Sequence, residues 1–193
     1  YILAGMLIER VTRRPVAEQV TKRVIDKIGL RDTYWPAVGE RTIRGSHPRG
    51  YGRVKVGSVI DVTDLDPSMA WAAGQLISTP ADLNRFFGAL LGGRLLPDAQ
   101  LKEMRRTIPA DMWPGSRYGL GLVSVPLSCG GESWGQGGDI FGYETRSGVT
   151  EDGRRASIVV TALPGTFDPA GADRAHAAVI STLDKALCSE DRR

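Results

Sequence analysis

The segment Trp134-Gly135-Gln136-Gly137-Gly138-Asp139-Ile140-Phe141-Gly142-Tyr143 puts four glycines into ten residues of a region that otherwise alternates apolar and polar side chains. Glycine inside a strand weakens it. Gly135, Gly137 and Gly138 together therefore mark either a place where a ligand or second backbone comes close, or a bulge where a sheet bends. On both sides of the segment the period is two. Tyr118 to Val125, Ser133 to Ile140, Gly142 to Val149 and Ala156 to Leu163 read as successive strands, with Glu151-Asp152-Gly153 as a hairpin turn between the last two. The expectation is an antiparallel meander. A helix from about Ala172 to Leu187, with Ala175, Val179, Leu183 and Leu187 on one face, then packs on the sheet and makes the chain α+β.

Upstream of Tyr118 the pattern is helical and looped. Leu3, Met6, Leu7 and Ile8 give the first residues an amphipathic helical spacing, and Pro15 ends that helix and can open the next. Val16, Val20, Val24 and Ile28 recur every four residues, and Gly29 supplies a left-handed stop. Residues 31 to 70 show no sustained period. Their prolines and glycines predict a long irregular excursion of the kind that wraps a site. Thr79-Pro80-Ala81-Asp82 is a strong helix start, with a capping hydroxyl, proline at the first helical position and a negative charge in the first turn. Leu83, Phe86, Phe87, Leu90 and Leu91 form its apolar stripe, and Gly92-Gly93 stops it; a shorter helix over Pro97 to Thr107 turns Leu101 and Met104 inward.

Composition limits the function classes. The chain has 193 residues, 41% hydrophobic and 24% charged, which excludes disorder and a collagen-like repeat. No apolar run approaches the roughly 20 residues that a membrane-spanning helix needs. The net charge of +3 arises from 25 basic and 22 acidic residues scattered along the chain, so nucleic acid is not the expected partner. The chain begins inside a periodic helix without methionine or signal peptide, so a preceding segment is expected. The tail after Cys188, Ser-Glu-Asp-Arg-Arg, reads as a natural terminus. Cys129 and Cys188 lie in no Cys-x-x-Cys pair and near no histidine, so no metal site and no cofactor is expected; they are either two buried thiols or one disulfide closing about 60 residues.

Two short motifs offer chemistry of their own. Gly131-Glu132-Ser133-Trp134-Gly135 matches Gly-x-Ser-x-Gly, and Asp168 or Asp173 and then His176 follow in the order of a hydrolase triad. A nucleophile elbow needs a helix directly after the serine, and Gly135-Gln136-Gly137-Gly138 is a poor one. Asp61, Asp64 and Asp66 could hold calcium, or simply cap their own loop.

Four segments in order resemble the penicillin-recognising serine hydrolases, especially secreted D-alanyl-D-alanine carboxypeptidases and class C β-lactamase relatives. They are Tyr1-Ile-Leu-Ala-Gly-Met-Leu-Ile-Glu-Arg-Val-Thr with Ile28-Gly-Leu-Arg-Asp-Thr; Ala72-Ala-Gly-Gln-Leu-Ile-Ser-Thr-Pro-Ala-Asp-Leu with Ala89-Leu-Leu-Gly-Gly; Tyr118-Gly-Leu-Gly-Leu; and Gly135-Gln-Gly-Gly-Asp-Ile-Phe-Gly-Tyr. The resemblance implies the β-lactamase/transpeptidase-like fold and an acyl-enzyme mechanism. A Ser-x-x-Lys nucleophile and a Tyr-x-Asn proton carrier serve that mechanism beside a Lys/His-Thr/Ser-Gly strand. Neither Ser-x-x-Lys nor Tyr-x-Asn occurs in these residues. By the resemblance the chain is the C-terminal portion of such a domain, starting just after the second motif, with residues 1 to 117 its helical and looped part and 118 to 188 its strands and last helix.

The same resemblance assigns roles. Gln136-Gly137-Gly138 stands where His-Thr-Gly or Lys-Thr-Gly would, the backbone N–H of Asp139 becomes an oxyanion donor, and Trp71, Val123, Gly137 and Gly138 line the substrate site. Glutamine carries no positive charge for a substrate carboxylate, Gly137 lacks the usual hydroxyl, Val123 falls where an arginine can stand, and Asp139 adds a negative charge. These departures suit an esterase, an amidase with a neutral acceptor, or a non-catalytic copy that binds cell-wall peptides. Substrates of the family are peptidoglycan-type peptides, β-lactams and esters. The resemblance also implies a Cys129–Cys188 disulfide and hence a secreted or extracytoplasmic location.

Overall fold

In the computed structural model, which describes residues 1–55 and 57–189, Pro15 and Gly29 bound the second helical run as their chemistry requires. The tail from Glu190 onward lies outside the described residues. Helix α1 (Ile2–Thr12) ends where Arg13 turns left-handed, and Pro15 precedes α2 (Val16–Val20). The four-residue repeat predicted one continuous helix; instead a π-helical turn (Thr21–Ile25) separates α2 from α3 (Asp26–Ile28). The extra residue in that turn rotates the face, so Ile25 joins Val16 in the interior at 6% and 3% exposure. Gly29 closes the run in the left-handed conformation.

The apolar stripe expected on α1 is not what the described residues bury. Leu3 and Leu7 are 79% and 63% exposed, while the buried position is Gly5, set against Trp71 and Ala72.

Residues 31 to 70 are more ordered than their glycines and prolines suggest. Strands β1 (Tyr51–Lys55) and β2 (Ser58–Asp61) form an antiparallel hairpin, tied to the main sheet where the Tyr51 N–H donates to the Thr161 carbonyl at 2.8 Å. The excursion is pinned again at Gly50 and Gly52, whose missing side chains leave room for the rings of Tyr143 and Phe141. Tyr143 also donates to the Pro48 carbonyl at 2.9 Å.

Helix α4 (Pro80–Leu91) starts as its sequence demands, with the Thr79 hydroxyl accepting from the Asp82 N–H at 3.2 Å. Thr79→Ala is expected to cost about 1 kcal/mol, the ordinary value of such a cap, read as a shift of the urea midpoint without a change in slope. Asp82 does more than complement the helix dipole: it is 4% exposed and accepts from the Asp32 N–H and the Thr33 hydroxyl, both at 2.8 Å, which ties the loop after α3 to α4.

After α5 (Asp98–Met104) come β3 (Ile108–Pro109), β4 (Arg117–Tyr118), β5 (Val123–Pro126), β6 (Glu132–Ile140), β7 (Tyr143–Thr150) and β8 (Arg155–Val160), then α6 (Ala172–Cys188). The six strands form one antiparallel sheet in sequence order, which is the predicted meander. The expected first strand is split, because the chain between Tyr118 and Val123 turns back on itself. Alternation puts Trp134 and Val149 on one face, where they join Phe87, Leu90, Leu101 and Leu122 as the core under α4 and α5. The other face holds Ser133 and Gly148 and receives Leu187 of α6. Both faces are covered, so Ser133 and Trp134 are each buried although they point in opposite directions. On α6 the inward residues include Val179 and Leu187; Ala175 is exposed and His176 takes the inward place one residue later. Among the described residues no helix is long and apolar enough to cross a membrane.

Candidate active site

Pairing between β5 and β6 stops at Val123↔Gly135, whereas pairing between β6 and β7 runs on to Ile140↔Tyr143. Among the described residues, Gln136 to Ile140 therefore has a partner strand on one side only. The Gly137 N–H points away from β7 and donates to the side-chain Oε1 of Gln136 at 3.0 Å. N–H groups two residues apart in a strand point the same way, so the Asp139 N–H faces the same open edge.

A chain of side-chain hydrogen bonds runs along this edge. Gln136 Nε2 donates to the Tyr118 hydroxyl at 3.1 Å, and the hydroxyls of Tyr118 and Tyr1 lie 2.6 Å apart. With Oε1 on the Gly137 N–H and Nε2 on Tyr118, the orientation of the Gln136 amide is set from both ends. Tyr1 as a whole is 65% exposed, but partial desolvation of its hydroxyl against the edge, then its bond to Tyr118, push the phenol up from 10.0 to about 12. The folded chain thus favours the neutral phenol: this contribution to stability is fully present below pH 10 and is lost as the pH rises through 12. Tyr1→Phe is expected to remove the latest-titrating tyrosine from an ultraviolet pH titration; an unchanged high-pH limb would contradict the assignment.

Behind the edge, on the α6 face, charged groups are packed into the protein. Arg146 of β7 lies across from Gly137 and is 5% exposed. Its guanidinium donates to both carboxylate oxygens of Asp139, at 2.7 and 3.2 Å. Its Nη2 also lies 2.8 Å from Oε1 of Glu144, which is 1% exposed and accepts no aligned hydrogen bond. His176 on α6 brings Nδ1 to 3.5 Å from the same oxygen. The Trp113 indole donates to His176 Nε2 at 2.9 Å, so a neutral His176 carries its proton on Nδ1, toward Glu144. A side chain on Gly137 would run into Arg146: a Cβ built there meets Nη1 at 2.8 Å. Glycine at 137 is thus explained by the arginine beneath it as well as by access from the edge.

The residues singled out from the sequence fall into distinct places. Gln136, Gly137, Gly138 and Asp139 share the one-sided stretch of β6, and the Asp139 carboxylate, expected as a free negative charge, is neutralised by Arg146. Trp71 takes φ 40° in the 3-10 turn Pro67–Ala73 and packs on Gly5, one turn along α1 from Tyr1. Val123 is 2% exposed and sits within the sheet. The Ser133 triad is overturned: Ser133 is 5% exposed at the second residue of β6, the strand rather than a helix runs on after it, and His176 is engaged by Trp113 and Glu144 while Asp168 pairs with Arg174. The acidic loop cluster is occupied locally. Asp61 accepts from Thr63 and Arg49, Asp64 pairs with Arg41, and Asp66 accepts from the Ser68 and Gly39 N–H groups. Cys129 and Cys188 form a disulfide. Sequence reading missed Tyr1, Glu144, Arg146 and Trp113 as members of the site. The one available signal was Glu144-Thr145-Arg146, two opposite charges two apart in an otherwise buried strand, which must share a face.

Comparison with known proteins places the chain among solved structures of like fold. The chain resembles a D-stereospecific amidohydrolase from Streptomyces sp., with 38% identity and a TM-score of 0.78 over 88% of this chain and 53% of that one. It resembles a D-amino acid amidase from Ochrobactrum anthropi SV3, solved with L-phenylalanine amide, with 29% identity and a TM-score of 0.71 over 96% of this chain and 56% of that one. A penicillin binding protein from Bacillus halodurans shares the fold at 19% identity and a TM-score of 0.67, over 91% of this chain and 54% of that one. The chain thus spans about half the length of these solved structures. The Beta-lactamase family model matches residues 1–181, and with an α+β architecture that fits it, this chain belongs to the β-lactamase family.

Proposed function

We propose that this chain is the sheet-bearing portion of a serine hydrolase that acts through an acyl-enzyme on neutral amides, D-configured amino-acid amides foremost, with the nucleophile supplied by a segment preceding Tyr1. The observation that carries the reading is Gln136, an uncharged amide held by Tyr118 and Gly137 where an acyl-transfer enzyme for carboxylate-ended peptides would set a cation. A site built this way offers a substrate hydrogen bonds but no charge to pair with a terminal carboxylate. The names of the amidohydrolase and the amidase among its similar structures support the same substrate class. β-Lactams and esters share the acyl chemistry, and peptidoglycan-type peptides are the charged competitor.

In the reaction the serine oxygen attacks the amide carbonyl, and the developing oxyanion takes hydrogen bonds from the Asp139 N–H and from the nucleophile's own N–H. The C–N bond then breaks with a proton delivered to the leaving amine, and water hydrolyses the acyl-enzyme. The disulfide supports an extracytoplasmic location for the protein.

The test uses the polypeptide extended upstream through its reading frame. Its rates with D-phenylalanine amide, the L enantiomer and an acyl-D-alanyl-D-alanine peptide are compared, and acyl adducts are sought by intact mass. Ammonia release from the D-amide, at least about tenfold faster than cleavage of the carboxylate-ended peptide, is the expected result. Preference for the charged peptide overturns the neutral-acceptor reading. Absence of both adduct and turnover means a non-catalytic member that at most binds such peptides.

A further inference from the structure

We infer that Arg146 is a positioning residue for the reaction, holding the Asp139 N–H at the open edge of β6 from behind; this rests on the acyl-enzyme reading above. The edge has an evident mechanical problem. Gln136 to Ile140 is paired on one side only, and Gly137 and Gly138 lie inside that stretch, so its backbone has the greatest freedom where an oxyanion donor must be aimed. Gly137 gains an N–H bond from its neighbour's side chain. Asp139 has an anchor of another kind, the two-point grip of Arg146 on its carboxylate at 2.7 and 3.2 Å. A bidentate guanidinium fixes the plane of a carboxylate as well as its distance, and with it the rotation of the Asp139 residue about the strand.

The grip is itself held. Arg146 is 5% exposed, and its other contacts come from three directions: Glu144 on its own strand at 2.8 Å, the Thr145 carbonyl at 2.7 Å, and the Trp113 ring 5.6 Å from its guanidinium carbon. His176 then connects Glu144 to α6. The helix on the far face is thereby linked through Glu144 and Arg146 to the backbone on the reactive edge. Gly137 suits the same device, since a Cβ there would meet Arg146 Nη1 at 2.8 Å and the guanidinium would have to shift.

Two variants of the extended polypeptide test this. Arg146→Lys keeps the charge and gives up the two-point geometry. Arg146→Met combined with Glu144→Gln removes both buried charges together, so that the one carboxylate left without its guanidinium is the half-exposed Asp139, which water can solvate. Backbone ¹⁵N relaxation is measured in each, alongside steady-state hydrolysis of D-phenylalanine amide. In the double variant the order parameter of the Asp139 amide is expected to fall from about 0.85 to below about 0.6 while Trp134 and Gly148 stay rigid. The kcat is expected to fall about 100-fold with KM held within about twofold, and Arg146→Lys to lie between. An Asp139 amide as rigid as in the parent, or a loosened amide with unchanged kcat, overturns the inference. If the parent itself hydrolyses nothing, the functional reading fails, and the relaxation result alone decides whether Arg146 positions the strand.

Discussion

Arg146→Met alone is expected to destabilise the fold by about 3–5 kcal/mol, the cost of breaking a buried ion pair by removing one partner. Glu144 decides the size. At 1% exposure its carboxylate cannot turn to water, and the arginine 2.8 Å away is its compensating charge, with His176 more distant at 3.5 Å. The contact with Asp139 contributes less to stability because that side chain is 52% exposed and solvent screens it. Adding Glu144→Gln to Arg146→Met is expected to restore most of the loss, giving a coupling well above about 1 kcal/mol in a double-mutant cycle followed by urea unfolding. A single-variant cost below about 1 kcal/mol would show that water reaches Glu144 and that the pair is not buried in solution.

Opening the Cys129–Cys188 bridge is the other large effect. The two cysteines are 59 positions apart, and for a closed loop of that length the chain-entropy relation gives about 4 kcal/mol. The bridge joins the turn before β6 to the last residue of α6, beside a Leu187 that is fully buried. Ser128 adds to the joint, its N–H and hydroxyl donating to Asp184 at 2.8 and 2.5 Å. Cys188→Ala, or a reductant, should lower the unfolding midpoint correspondingly, and intact mass of the unreduced chain should lie two hydrogens below that of the reduced chain. Equal masses, or a midpoint indifferent to reductant, would refute the bridge.

The meander, α4 and α6 were legible because their signals are local. Alternation, a capping threonine followed by proline, and a glycine in a turn act over a few residues and are visible without a partner. The hairpin of β1 and β2 was hidden by the same glycines that make it fit: Gly50 and Gly52 read as loop punctuation until Tyr143 and Phe141 are seen filling their place. The face of α1 was misjudged for a related reason, since spacing shows that Leu3, Met6 and Leu7 share a side of the helix but says nothing of what covers it.

The candidate site divides along the same line. Its backbone element, the glycine-rich strand, was recognisable from residues 134 to 143, and so was the uncharged side chain of Gln136 within it. Its working contacts were not. Tyr1 meets Tyr118 across 117 positions, Trp113 meets His176 across 63, and neither pair has any spacing rule. Even Gly137, read from the chain as a missing hydroxyl, has a second meaning only once Arg146 is found beneath it. Local chemistry specifies which segments become strand, helix or turn, because those choices depend on neighbours in the chain. Which charge is buried, which tyrosine faces the edge and which carboxylate is neutralised depend on neighbours in space, and those contacts exist only after the sheet has closed against its helices.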